Sequence, residues 1–343
     1  MRYSRRWMST VIATASAGAL VLTGCSKKDE NTSGASTASS GAVKVAFVPK
    51  VQGIPYFEAM NTGGKAAAKK LGIQWIYQGA TTGDAAAQAD IVKSLIQQKV
   101  DVIAVAPNDP DSLAPVLKLA KQAGIKVMTT DTDAPNSARQ VFVNQATAEG
   151  IGRALTDQIA KATGGEGEYA IVSCGQTAAN LNSWIAEQKS YTASKYPKLK
   201  IADIVYAGED QAQAVTMAKS LMSAHPNLKG LVGECTTSAP GVAQAVKEAG
   251  KIGKVFTVGV GTPTSMKPFL NDGSSSASVL WDVQNLGYLT AWAGAQLAAD
   301  KSFQVSNKVN ASMPAVTYTA DQKMLLLGEP LIITKANAGE FDY

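Results

Sequence analysis

Val43-Lys44-Val45-Ala46-Phe47-Val48-Pro49-Lys50-Val51-Gln52-Gly53-Ile54-Pro55-Tyr56-Phe57 decides the reading of the chain. Val43 to Val48 is an apolar run that reads as a buried strand, and Pro49 ends it because proline has no N–H for a sheet ladder. A lysine and glycine turn follows, and Pro55 opens a helix whose first turn carries two aromatic rings. A strand that stops in a polar turn and feeds a helix is where open α/β sheets hold their ligands. The stretch is therefore expected to form one wall of a small-ligand cleft.

Downstream, strand-like and helix-like segments alternate. Val43 to Val48 (strand) leads to Pro55 to Leu71 (helix), Ile73 to Tyr77 (strand) to Ala85 to Gln98 (helix), and Val102 to Ala106 (strand) to Pro110 to Ala123 (helix). Strands follow at Lys126 to Thr130 and Gln140 to Val143. The helices rest on apolar stripes such as Ile91, Val92, Leu95 and Ile96, or Leu113, Val116, Leu117 and Ala120. Gly72, Gly124, Gly165 and Gly250 stand where helix ends are expected. The strands are continuous apolar runs, the pattern of a parallel sheet covered on both faces. From Ala148 the same rhythm begins again and continues to Leu270, so two doubly wound α/β lobes with a cleft between them are expected. Beyond Ser275 the pattern shortens to a strand (Ala277 to Leu280), a helix (Gln284 to Asp300) and apolar runs at Met324 to Leu327 and Leu331 to Ile333.

The chain has 343 residues, enough for two lobes of ordinary size. Its first 25 residues have a basic start (Arg2, Arg5, Arg6), a weakly apolar run and the ending Leu22-Thr23-Gly24-Cys25. This is a secretory signal in outline, too short and too rich in Ser, Thr and Ala for a membrane span. The ending resembles a bacterial lipobox, which would make Cys25 an acylated residue held at a membrane surface outside the cytoplasm. Residues 26–42 are small and polar and are expected to be a flexible tether. Setting aside Arg2, Arg5 and Arg6 leaves 29 basic against 27 acidic residues, a balance that argues for no polyanionic partner such as nucleic acid.

Several chemistries lack their residues. The one histidine, His225, lies in Ala224-His225-Pro226-Asn227 at a helix end, which removes Ser-His-Asp and Cys-His catalysis. There is no metal-binding Cys/His cluster in the sequence, no phosphate loop and no complete dinucleotide fingerprint, so no enzyme, metal or cofactor is expected. Outside the leader two cysteines remain, Cys174 and Cys235, each at a strand end. A disulfide and a pair of free buried thiols both stay open on this reading.

What the sequence does offer is a set of polar and aromatic residues at strand ends. Lys50, Gln52, Tyr56 and Phe57 follow the first strand; Asp131 and Asp133 follow Thr130; Asn180, Asn182 and Trp184 follow Ser173. Glu234 and Thr236 follow Gly233, and Trp281 and Asp282 follow Leu280. Carboxylates and amides that each take two hydroxyls, with rings that pack on a C–H face, are the inventory for a sugar. Each also has a plainer use. Asp131 or Asp133 can cap a turn, Lys50 can be a solvated loop lysine, Asn180 can cap a helix and Trp184 can be helix packing. Tyr56 and Phe57 are adjacent, so one is expected to face the core and the other the cleft.

From Val43 onward the chain resembles the ribose-type periplasmic sugar-binding proteins, the substrate receptors of bacterial ABC importers. Within them it is most similar to the branch with rhamnose-binding and autoinducer-two-binding proteins. The similarity is carried by Val45-Ala46-Phe47-Val48-Pro49-Lys50, Pro55-Tyr56-Phe57, Ala106-Pro107-Asn108-Asp109-Pro110-Asp111, Thr130-Asp131-Thr132-Asp133, Val143-Asn144-Gln145, Gly261-Thr262-Pro263 and Leu280-Trp281-Asp282-Val283. The resemblance implies the type I fold, two lobes joined by a three-strand hinge, with crossings near Asn144-Gln145, near Trp281-Asp282 and within Val309 to Thr317. One lobe would then hold 43–144 and 282–309, the other 145–281 and 310–343. It also implies ligand contacts at Lys50, Tyr56, Phe57, Asp131, Asp133, Asn180, Asn182, Glu234, Thr236, Trp281 and Asp282. A monomer is implied, with a small carbohydrate, an ABC importer permease and the membrane as partners; a sugar-like signal read through a membrane sensor is the alternative. The chain departs from the branch at Asn180-Leu181, where autoinducer-binding relatives carry Asp-Gln, and at Thr130, where rhamnose-type relatives carry Trp. Glu234 and Cys235 replace uncharged residues.

Overall fold

The structure, a computed structural model, describes residues 41–343. The expected leader, Cys25 and nearly all of the tether lie outside the described residues. In the first lobe, β1 (Lys44–Val48), α1 (Pro55–Leu71), β2 (Gln74–Tyr77), α2 (Ala85–Gln97), β3 (Val102–Val105), α3 (Pro110–Gln122), β4 (Lys126–Thr130) and β5 (Val141–Asn144) follow the expected alternation. The chain then enters the second lobe. There it forms α4 (Ala148–Thr163), β6 (Gly167–Ser173), α5 (Ala179–Lys195), β7 (Leu199–Tyr206) and α6 (Gln211–Ala224). These are followed by β8 (Leu228–Gly233), α7 (Ser238–Glu248), β9 (Phe256–Gly259), α8 (Pro263–Asp272) and β10 (Ala277–Leu280).

Local chemistry explains the element ends. Asp84, Asp109 and Asp210 cap α2, α3 and α6 by accepting backbone N–H bonds in the first turn. Gly72 closes α1 in the left-handed conformation, φ 69°, that a side chain would resist. β1 and β3 are buried along almost their whole length, as unbroken apolar runs require.

The last stretch redraws the lobes. After β10, α9 (Val283–Ala298) returns to pack along α1 in the first lobe. Next come β11 (Ser306–Asn307), β12 (Val316–Thr319) and β13 (Met324–Leu326), and only β14 (Leu331–Ile333) goes back to the second. The sheets run β11-β12-β13-β5-β4-β3-β1-β2 and β14-β10-β9-β8-β6-β7. The third crossing therefore lies between Leu326 and Leu331, which corrects the expected position within Val309 to Thr317 and moves residues 310–326 into the first lobe. The reason is pairing: β12 pairs antiparallel with β13, and β13 pairs in parallel with β5, Leu325 opposite Val143.

Both sheets share one order around their first strand. β2-β1-β3-β4-β5 and β7-β6-β8-β9-β10 are the same winding, and each reverses direction beside its first strand. The crevice at such a reversal is left open beyond the carboxyl ends of the strands. In this chain those ends carry Lys50 after β1, Cys174 after β6 and Glu234-Cys235 after β8.

Candidate functional site: a cleft between the lobes

A narrow cavity of about 30 Å³ lies where the two reversals face each other. Asp131 is its centre. Its backbone sits at φ 63°, uncommon for a residue with a side chain, and its N–H donates to the Val143 carbonyl at 3.1 Å. One carboxylate oxygen accepts from the Tyr56 hydroxyl at 2.7 Å. The other faces Lys50 Nζ at 3.1 Å, Asn180 Nδ2 at 3.3 Å and Thr132 Oγ1 at 3.1 Å. Lys50 also donates to Asn180 Oδ1 at 2.9 Å. Asn180 belongs to α5 in the second lobe, so these bonds join the two lobes across the cleft.

Three rings close the apolar side. Trp281, at the second crossing, donates its indole N–H to the Tyr56 oxygen at 3.1 Å and meets the Tyr56 and Trp184 rings edge-on at 5.9 and 5.7 Å. Phe57 lines the same space while packing on Phe47 of β1, whereas Tyr56 turns its hydroxyl to Asp131. Tyr56 is held well above its ordinary pKa by burial and by the adjacent Asp131 carboxylate, so it remains a donor.

The structure brings Lys50, Tyr56, Phe57, Asp131, Asn180, Trp184, Thr236 and Trp281 to the cleft wall. It places the other candidates elsewhere. Gln52 accepts from the Gly79 N–H at 2.7 Å and ties the turn after β1 to the loop after β2. Asp133 pairs with Arg139, with the guanidinium Nε at 2.6 Å, and lies beside a separate groove. Asn182 donates to the Gln176 carbonyl at 2.9 Å, and Asp282 caps α9 through the Asn285 N–H at 2.8 Å. Glu234 is fully buried behind the wall, where both its oxygens accept from Gln188 Nε2 at 2.7 and 2.8 Å. Burial pushes its carboxyl up to about 8.

Ile54, Leu181, Glu209, Cys235 and Val260 line the cleft without having been anticipated. Glu209 follows β7 in a short Gly-Glu-Asp turn, and a predicted strand end was the available signal. Desolvation raises its pKa, and Asp131 adds to this while Lys50 opposes it. Two buried amides, Gln88 and Asn108, support the site without being among the expected site residues. Gln88 on α2 donates to the carbonyls of Pro49 and Ala106 and accepts from the Asn108 N–H, which fixes the ends of β1 and β3 side by side. Asn108 then donates to the Lys50 carbonyl at 3.0 Å. Cys174 and Cys235 are joined as a disulfide with Cα atoms 6.1 Å apart. Their sulfurs lie with Glu209 in one cluster, yet the bond between them leaves a single carboxylate for any metal.

The groups lining the cleft hold, orient and enclose: the Tyr56 hydroxyl and the Lys50 ammonium are both engaged by the Asp131 carboxylate. The periplasmic binding protein domain matches residues 45–302. The chain belongs to the periplasmic binding protein family. It is similar to the D-ribose/D-allose-binding protein of Pseudomonas aeruginosa, 27% identical over 279 residues that cover 79% of this chain and 83% of that protein. Among solved structures it resembles LsrB from Clostridium saccharobutylicum in complex with AI-2, TM-score 0.83 and 28% identity over 88% of this chain and all of that one. An ABC transporter solute-binding protein from Clostridium phytofermentas with bound L-rhamnose gives TM-score 0.81 and 31% identity over 88% of this chain and 98% of that one. The ribose/allose and rhamnose relatives are described as binding proteins, and the chain shares their fold.

Proposed function

We propose that this periplasmic binding protein captures one small neutral sugar or polyol between its lobes and delivers it to an ABC importer. The observation that carries the reading is the Lys50, Asp131 and Asn180 cluster spanning the cleft beside the Tyr56, Trp184 and Trp281 rings. Charged and amide groups supply paired hydrogen bonds to hydroxyls, and the rings supply a face for C–H bonds. Relatives with comparable coverage are named for ribose, allose and xylitol. Capture needs no bond making: ligand that touches both lobes favours the closed arrangement, and closure changes the outer surfaces that a permease meets. In this reading acylation of Cys25 holds a monomer at the membrane outside the cytoplasm, with the tether giving it reach.

The resemblance to the AI-2 complex favours a second reading, a receptor for a sugar-like signal acting through a membrane sensor. A thermal-shift screen of L-rhamnose, D-ribose, D-arabinose, xylitol and autoinducer-two separates the two, because a ligand that binds only the folded state raises its melting point. A shift with autoinducer-two alone would replace the uptake reading. No shift with any of them would remove both.

A further inference from the structure

We propose that the Cys174–Cys235 bridge positions the second lobe's ligand-facing wall, so that its redox state sets how tightly the cleft binds. The idea rests on the cleft reading above and adds a control to it. Cys174 follows β6 and Cys235 follows β8, the two strands on either side of the order reversal in the second sheet. Three separate wall segments converge there. Cys235 and Thr236 line the cleft directly. The N–H groups of Ala207 and Gly208 donate to the carbonyls of Ser173 at 2.8 Å and Cys174 at 3.2 Å, which suspends the turn bearing Glu209 from the end of β6. Thr237 Oγ1 stands 3.2 Å from each sulfur and 3.5 Å from Glu209 Oε2, so the partner of that carboxylate rests on the bridge. The third segment runs from Cys174 through Thr177, whose hydroxyl donates to the Asn108 carbonyl of the first lobe at 3.2 Å, into Asn180, Leu181 and Trp184 of α5.

Reduction by a dithiol breaks the S–S bond by exchange. The reductant closes to its own disulfide, and two electrons and two protons leave Cys174 and Cys235 as thiols. Freed sulfurs move to non-bonded separation, and Thr237, the Glu209 turn and the start of α5 lose their common support. Cys235 faces the cleft, so an open protein admits the reductant where a closed, liganded one excludes it. Linkage makes the effect reciprocal: if the oxidised form binds ligand more tightly, ligand favours the bridge by the same factor.

A bridge that merely stabilised the fold would act through the unfolded chain and leave local geometry alone. The test separates these roles. Amide hydrogen exchange is followed on the oxidised protein, on the dithiothreitol-reduced protein and on the Cys174→Ser/Cys235→Ser variant, with intact mass reporting the bridge. Exchange at 174–184, 207–211 and 235–239 is expected to quicken about tenfold on reduction while β1, β3 and β4 stay unchanged, and the variant should match the reduced protein. Equal exchange in both states, or acceleration spread evenly over both lobes, overturns the proposal. In a second arm, Kd is measured for L-rhamnose, D-ribose and xylitol well below the melting temperature, and any sugar bound by the oxidised form should bind about tenfold more weakly after reduction. An unchanged Kd overturns the redox control. If the oxidised protein binds none of the three, the sugar reading suffers, and the exchange arm still decides the role of the bridge.

Discussion

Asp131 joins more partners than any other cleft side chain described above, and its substitution separates binding from folding. Asp131→Ala leaves Lys50 with only Asn180 as a side-chain partner, and a buried charge without its counterion is costly. This protein has an inexpensive escape, because the lobes can part and return the ammonium to water. The variant is therefore expected to lose the sugar-induced rise in melting point while its unliganded stability in urea stays within about 1 kcal/mol of the parent. A retained sugar shift would remove Asp131 from the site. Glu234 makes a different prediction. Its carboxyl titrates near 8 when folded, against an ordinary value of 4.5, so the folded state holds a proton that the unfolded state has released over that interval. Stability from this group is present below the unfolded value and is lost as pH rises towards 8, by at most about 1.4 kcal/mol per pH unit. The neighbouring Gln188 Oε1 has no partner. Turning that amide over sets its oxygen against Glu234, where it can accept the proton of the neutral carboxyl. Glu234→Gln keeps the shape without the titration, and its urea midpoint between pH 5 and 8 should be flatter than the parent's. Parallel pH profiles would show that Glu234 is ionised throughout.

At the scale of elements, the contact of α1 with α9 matters most for the site, since α1 carries Tyr56 and Phe57 in its first turn and α9 begins just after Trp281 and its cap Asp282. The two helices approach through glycines. A Cβ on Gly63 would collide with the Gln284 carbonyl, and one on Gly287 with the Met60 carbonyl. Both obstacles are backbone, so relief requires the helices to separate. Gly287→Ala should cost about 3 kcal/mol in urea unfolding and also weaken sugar binding, because Trp281 and Tyr56 would be drawn apart. A neutral effect would mean that the helices slide without loss. Asp282, expected as a ligand contact, serves this same contact as the cap of α9, and Asp282→Ala should lower stability by about 1 kcal/mol with the sugar affinity largely kept.

At the scale of the molecule, the direct bonds among Lys50, Asp131 and Asn180 join the two lobes. A sugar must compete with those bonds or extend them. Asn180→Ala removes the second lobe's share, so the unliganded protein should shift to open forms, with a larger radius of gyration in solution scattering that a bound sugar no longer fully reverses. An unchanged radius would place the closure elsewhere, in the rings or in the Thr177 contact with Asn108. The sequence by itself determined the winding of both lobes, since period, caps and apolar runs are local properties that each element carries alone. It also pointed to Lys50, Tyr56, Asp131, Asn180 and Trp281, which the fold brings to the cleft wall, because the turns and helix starts that follow strands in such sheets are the open positions. The tertiary structure decided the rest. Which lobe holds β11 to β13 depends on pairing with β5, far away in the chain. Whether a polar strand-end residue faces the cleft, as Glu209 does, or turns to a neighbour, as Gln52, Asp133, Asn182, Glu234 and Asp282 do, depends on partners brought from other segments. Pairing and partner choice are non-local free energies, and only the assembled fold fixes them.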